Sequence, residues 1–309
     1  MTLTVAISGA NGWLGTSAIN VLVNKFPDWK IYALTRVAAG NIRYPNVVEI
    51  TYEDFAKSNI QVQGLIHTAF KTRNFIGDLG VESYLAENNE ILQWLKNFLS
   101  QQKLLWAATV SSGAVAIYLE KIEKNSPLNE LDLYGKLKWE EEEILMSSST
   151  SQVAVGRLWG ASGRFMKNYK IYALGQFIEA GIKNENIYLS SSGKVFRRYV
   201  DAEIFMEVLI RSALQNDRII FDSGGILISL ESLAEKIARY FNEINLGKIK
   251  VKYSKVRTAA AHPNYYPDDS KFNALTDYFS IRSLSITEQI KNTELAIRKQ
   301  ISSDLITND

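Results

Sequence analysis

Along the first half of the chain, short apolar runs alternate with segments whose apolar residues recur at helical spacing. Short apolar runs at Thr4–Ser8, Lys30–Thr35, Val47–Ile50, Gln63–Ala69, Leu104–Val110 and Val153–Leu158 read as strands. Between them, Leu14–Val23 and Ser83–Ser100 carry apolar residues at helical spacing. In the second, Tyr84, Leu85, Ile91, Leu92, Leu95, Phe98 and Leu99 form one stripe. Strands separated by helical segments of about ten residues or more predict βαβ units, right-handed crossovers and a parallel sheet. The second half is less regular. It shows short strands at Ile187–Leu189, Phe196–Val200 and Arg218–Phe221, and amphipathic helices at Ser229–Phe241 and Leu284–Ile301. No repeat or low-complexity stretch divides the halves, and 5 prolines signal no stiff hinge.

The first strand runs into Gly9-Ala10-Asn11-Gly12-Trp13-Leu14-Gly15, a GxxGxxG turn that opens the first helix. Glycines so placed permit a tight turn, close backbone approach to a pyrophosphate and close helix–strand packing, with the phosphates on amides at a helix N-terminus. A glycine-rich loop without a ligand is the alternative; the strand before and the helix after favour a dinucleotide. The expected fold class is therefore α/β: a Rossmann-type doubly wound parallel sheet with a smaller, interleaved C-terminal substrate lobe. Residues 1–164 would form the dinucleotide-binding domain and 165–309 the lobe, with some of its segments returning to the sheet. Twenty residues past Gly15 the second strand ends in Thr35-Arg36 with no acid. An acid there would hold a ribose 2′-hydroxyl, whereas an arginine suits a 2′-phosphate. NADP is expected over NAD, with a solvated surface arginine as the other reading of Arg36.

Composition narrows the chemistry. In 309 residues there are no cysteines and only 2 histidines, which excludes disulfide scaffolds, thiolate metal sites, iron–sulfur clusters and cysteine nucleophiles, and argues against a histidine-rich metal site. The 35 basic residues nearly balance 33 acidic ones, so nothing points to a nucleic-acid partner. No basic, apolar leader opens the chain and no apolar run approaches the roughly 18 residues of a membrane helix, so a cytoplasmic protein without a membrane partner is expected.

Three residues then stand out. Ser112 follows the Leu104–Val110 strand, and Tyr134 and Lys138, spaced i and i+4, share a helix face 22 residues beyond Ser112. A lysine and an oxidised nicotinamide beside a tyrosine favour the phenolate, lowering its pKa toward working pH. Tyr134 would exchange a proton with a substrate oxygen while hydride moves at the adjacent carbon, and Ser112 would stabilise charge on that oxygen.

With these residues the sequence resembles the extended short-chain dehydrogenase/reductase family, in its NAD(P)-dependent sugar-nucleotide epimerase, dehydratase and reductase branch. The matching stretches are Ile7–Gly15, Ile66–Ala69, Val110–Val115, Tyr134–Lys138, Arg197–Val200 and Tyr266–Lys271. The resemblance implies that Gly9, Gly12 and Gly15 meet the pyrophosphate, with Asn11, Trp13 and Leu14 also binding the cofactor, that Arg36 meets the 2′-phosphate, and that Thr68 and Ala69 line the cofactor cleft with Tyr134 and Lys138. Asn88 corresponds to an asparagine that orders the helix beside it. Ser112, Tyr134 and Lys138 would carry catalysis, and Arg197, with Ser112, would bind substrate, the arginine at the nucleotide-sugar diphosphate. A homodimer through helices near Tyr84–Leu99 and Tyr134–Leu145 is also implied. The chain departs from the pattern at several points. Gly113-Ala114 replaces the acids of dehydratases, Gly160 and Arg164 replace the usual asparagine and proline, and Glu203-Ile204 replaces paired acids.

The expected activity is thus an NADP-dependent reduction of a keto group on a nucleotide-activated deoxysugar, with Tyr134 as proton donor. A nucleotide-sugar epimerase is the alternative, and a non-catalytic NADP-binding sensor or scaffold is a third reading. Other features read as structural. His67 is expected to be packed, His262 solvated, and Glu140–Glu143 a wet helix face, while Tyr199, Tyr265 and Tyr266 border a sugar pocket or the core.

Overall fold

The computed structural model describes residues 3–40, 42–192, 195–245, 247–259 and 264–306. From the N-terminus run β1 (Thr4–Ser8), α1 (Trp13–Lys25), β2 (Lys30–Thr35), β3 (Val47–Thr51), α2 (Tyr52–Lys57), β4 (Gly64–His67), α3 (Phe75–Leu79), α4 (Val81–Gln101), β5 (Trp106–Ser112), α5 (Ala114–Glu123), α6 (Asp132–Met146) and β6 (Gln152–Leu158). They are followed by β7 (Ala161–Ser162), α7 (Ala173–Ile182), β8 (Ile187–Ser192), β9 (Phe196–Asp201), α8 (Ala202–Gln215), β10 (Arg218–Asp222) and β11 (Ile226–Ser229). The last elements are α9 (Leu230–Asn245), β12 (Val251–Ala259), β13 (Asn264–Tyr265), α10 (Ser270–Tyr278) and α11 (Ile286–Ile306). The chain divides into two compact units. One comprises Met1–Leu158, Phe205–Asp222 and Ala274–Ile281; the other comprises Trp159–Ile204, Ser223–Asn273 and Arg282–Asp309.

The first unit is built on a seven-stranded sheet of order β10-β6-β5-β4-β1-β2-β3, parallel throughout. Helices cover parallel strands on both faces, so the strands are apolar without alternation. Val5, Ala6 and Ile7 of β1 and Ala107 and Ala108 of β5 have no exposed surface. The α4 stripe supplies Leu95, Phe98 and Leu99, which pack with Leu145 of α6 over Ala6, Leu65, Ala107 and Val153. The run at Arg218–Phe221, read from sequence as a short strand, is β10; it pairs with β6 from Arg218 opposite Val153 to Asp222 opposite Arg157 and completes the sheet from the C-terminal half. Connections leave β1 and β4 in opposite directions, so a crevice opens at the C-terminal ends of these neighbouring strands, where open α/β sheets bind ligands.

In the second unit β9 pairs antiparallel with β11 and parallel with β7 and β13, and β8 pairs with β12. Helix α9 buries Leu233, Ile237 and Phe241. Polar groups in its interior are matched: Ser162 donates to Gln289 at 2.7 Å, and the Gly163 amide donates to the Thr293 hydroxyl at 3.0 Å.

Candidate active site

The glycine turn forms because β1 ends at Ser8 and Gly9 enters a left-handed conformation at φ +69°. The Gly12 amide closes the turn onto Gly9 O at 2.8 Å. Gly12 then caps α1 with no side-chain hydrogen bond, and no acid occupies the first helical turn. The end of β4 presses against this turn. A Cβ on Gly9 would lie 2.7 Å from the Ala69 amide nitrogen, and the Thr68 hydroxyl donates to Ser8 O at 2.7 Å. Gly9, Gly12, Gly15, Thr68 and Ala69 are therefore brought together, with Asn11, Trp13 and Leu14 on the same turn. An uncapped helix N-terminus without acids at a close-packed backbone turn fits a pyrophosphate.

Arg36 is exposed just past β2. Beside it Thr35 is buried, and its hydroxyl has no hydrogen-bond partner among the described residues, a donor that fits a ribose hydroxyl or phosphate oxygen. Tyr52, the first residue of α2, was not singled out in the sequence. Its hydroxyl accepts the Gly9 amide at 2.7 Å, its ring meets Trp94 edge-on at 5.1 Å, and burial pushes its phenol up against the opposing pull of the Gly9 amide and Arg36. Asn88 on α4 clamps the segment after β4: its amide accepts from Lys71 N at 3.0 Å and donates to Lys71 O at 3.3 Å. It orders that loop as well as its own helix, where it donates to Tyr84 O at 3.1 Å.

Ser112 is the last residue of β5, and Tyr134 and Lys138 lie on α6, which packs against β5. The Ala114 amide donates to Ser112 Oγ at 3.2 Å, leaving the hydroxyl proton for Tyr134, whose phenol Ser112 draws downward. The net direction for Tyr134 is nevertheless upward: burial raises it first, and the negative Glu141 adds to the rise. Lys138, expected to lower it, is engaged by other partners. Its ammonium donates to Glu141 at 2.8 Å and to Val110 O at 2.9 Å, and lies 4.0 Å from the centre of the Phe70 ring.

The expectation of a wet face at Glu140–Glu143 is corrected. Glu141 and Glu142 are buried at 0% and 1% exposure, and Glu143 is exposed. Each buried carboxylate has its own cation: Glu141 takes Lys138, and Glu142 takes Arg157 through bonds of 2.9 and 2.7 Å while accepting from Ser111 at 2.5 Å. Four glutamates in a row carry no periodicity, so only the tertiary placement of α6 against β5 separates the outward pair from the inward one. His67 is buried, as expected. Its Nδ1 shares a 2.7 Å hydrogen bond with Ser8, its Nε2 lies 4.0 Å from Glu141, and burial holds its pKa down at about 3.

In the second unit, Arg197 donates to Phe196 O at 2.6 Å and lies 5.7 Å from the Tyr265 ring, which in turn packs on Trp159. Tyr199 is buried, with its phenol pushed up to about 12 by desolvation, while Tyr265 and Tyr266 are half-buried. Arg164 pairs with Glu203 through bonds of 2.6 and 2.8 Å. His262 lies outside the described residues. Among the described residues, no group of three or more His, Asp or Glu side chains is arranged to hold a metal, and no helix is long and apolar enough to cross a membrane.

No family model and no curated protein matches the sequence. Solved structures match in fold. The UDP-glucuronic acid 4-epimerase from Bacillus cereus, solved with UDP-glucuronic acid and NAD, superposes with a TM-score of 0.72 at 15% identity over 96% of this chain and 100% of that one. The UDP-N-acetylglucosamine 4-epimerase of the same organism gives 0.69 at 18% identity over 96% and 100%. WbmG from Bordetella bronchiseptica, solved with NAD and UDP, gives 0.72 at 17% identity over 97% and 96%. At these identities the likeness is one of fold, and the chemistry has to be argued from the site.

Proposed function

We propose that the chain is an enzyme of the extended short-chain dehydrogenase/reductase type that acts as a nicotinamide-dependent nucleotide-sugar epimerase. The observation that carries this reading is the meeting of Ser112 and Tyr134, with Lys138 one turn beyond, at the end of β5. The fold shared with UDP-sugar 4-epimerases supports it, and Gly113-Ala114 leaves no acids for dehydration. In this reading Gly9, Asn11, Gly12, Trp13, Leu14 and Gly15 receive the pyrophosphate, Thr35 and Arg36 the adenosine ribose, and Thr68, Ala69, Tyr134 and Lys138 the nicotinamide half. Arg197 is assigned to the substrate's diphosphate.

A bound dinucleotide would supply reversible hydride acceptance. Tyr134 takes the proton from the sugar hydroxyl as the C–H hydride departs, and gives it back when hydride returns to the opposite face. Ser112 donates a hydrogen bond to the same oxygen through both steps. No net oxidation results. A second reading, an NADPH-linked reductase of a keto sugar, is favoured by Arg36 in a strand end without an acid.

The two separate on the cofactor. Protein purified without added nucleotide is denatured and its released cofactor identified, and UDP-sugars are then tested for interconversion. Retained oxidised NAD with interconversion and no net cofactor loss is the expected result. An empty protein that consumes NADPH in proportion to product overturns the epimerase reading in favour of the reductase.

A further inference from the structure

Two carboxylates on α6 are buried against β5, and only one is explained by its partners' geometry alone. Glu142 meets Arg157 in a two-bond fork beside Ser111. Glu141 instead meets the lysine of the candidate site. We propose that Glu141 is a positioning residue that holds Lys138 and cancels its charge next to Tyr134, keeping the phenol protonated until cofactor and substrate arrive. This rests on Tyr134 as the proton-transfer group of the proposed function.

The geometry carries the argument. Glu141 is fully buried, Lys138 is 4% exposed, and their charged atoms are 2.8 Å apart. The second carboxylate oxygen accepts the Thr109 hydroxyl from β5. Two of the three ammonium protons are thus directed at Glu141 and Val110 O, and Phe70 covers another side of the ammonium. A lone buried cation one helical turn from Tyr134 would stabilise the phenolate strongly; a cation paired in the same low-dielectric surroundings does so weakly. Burying such a pair gains little stability over an apolar replacement, so stability alone gives no reason for it.

The other groups that face this cluster do not replace the effect. From β4, His67 approaches Glu141 at 4.0 Å but is kept neutral by burial. From α4, Tyr84 is buried near Tyr134 and is a neutral phenol. From the segment after β4, the exposed Arg73 draws Tyr134 downward, opposing Glu141.

The test reads Tyr134 directly in the protein without cofactor or substrate, so it stands apart from whether turnover is found. Protein carrying 13Cζ-tyrosine is titrated toward alkaline pH by NMR, with Tyr134 assigned by the signal lost in Tyr134→Phe. In Glu141→Gln the midpoint of Tyr134 is expected to fall by about one pH unit or more, a tenfold gain in phenolate at a given pH, with the other tyrosines unmoved. In Lys138→Met/Glu141→Gln, where no cation is left unpaired, it returns to the wild-type position. Glu141→Met carries the same expectation as Glu141→Gln if the latter does not fold. A Tyr134 that ionises no earlier in the single variant than in wild type overturns the proposal, as does a fall that persists in the double variant.

Discussion

Lys138 and Glu141 form an ion pair of 2.8 Å one turn apart on α6, with neither side chain more than 5% exposed. A lysine expected to line the cofactor cleft and favour the Tyr134 phenolate is held by a neighbour on its own helix. If Tyr134 is the proton-transfer group, the charge it feels depends on Glu141 as well as on Lys138.

Tyr134→Phe removes the proton carrier and keeps the ring that packs edge-on against Phe70 at 5.7 Å. Turnover of a nucleotide sugar should fall by about 10²–10⁴, while the dissociation constant for NAD(P) measured by calorimetry stays within about threefold, less than 0.7 kcal/mol. Retained turnover would remove Tyr134 from the chemistry.

Gly9→Ala forces a side chain onto a residue at φ +69° and drives its Cβ to 2.7 Å from the Ala69 amide nitrogen. The left-handed backbone alone costs roughly 1–2 kcal/mol. Urea unfolding should show at least that loss, and calorimetry a cofactor affinity at least about tenfold, or 1.4 kcal/mol, weaker, because Thr68–Ala69 must retreat from the turn.

Arg36→Ala tests the choice of cofactor. If a 2′-phosphate is bound there, a charge-assisted contact of about 1.5–3 kcal/mol is lost, so NADP affinity falls by roughly 10- to 100-fold. NAD affinity should change by less than about threefold, or 0.7 kcal/mol. Equal and small effects on both dinucleotides would make Arg36 a surface residue.

His67 supplies a pH signature of the buried cluster. Its folded pKa is depressed to about 3, below the ordinary value of 6.5, so the unfolded chain binds the proton first. Its contribution is complete above pH 6.5 and declines as pH falls toward 3, by up to about 1.4 kcal/mol per pH unit. His67→Asn can keep the hydrogen bond to Ser8 and has no titrating ring. The stability difference between wild type and variant should shift against wild type by about 2 kcal/mol from pH 7 to pH 5 in urea unfolding; a difference constant with pH would contradict the burial effect.

Much of this was legible in one dimension. The short apolar runs and the helical patterns located the strands that bear the site, because parallel strands covered on both faces have to be continuously apolar, and the GxxGxxG spacing marked the turn at the end of β1. The i, i+4 spacing put Tyr134 and Lys138 on one face of α6, since a helix leaves no other option. Tertiary structure decided which neighbours those residues met. Nothing in Glu140–Glu143 says that the second and third glutamates turn inward; the docking of α6 on β5 does, and burial then requires each to find a cation. Tyr52 and Phe70 likewise act across dozens of positions of sequence, on Gly9 and on Lys138, where local spacing carries no information. The sequence by itself determined that Tyr134 and Lys138 share a helix face; the three-dimensional packing determined the charge each of them feels, because electrostatics in a dry interior depends on distance and burial rather than on order along the chain.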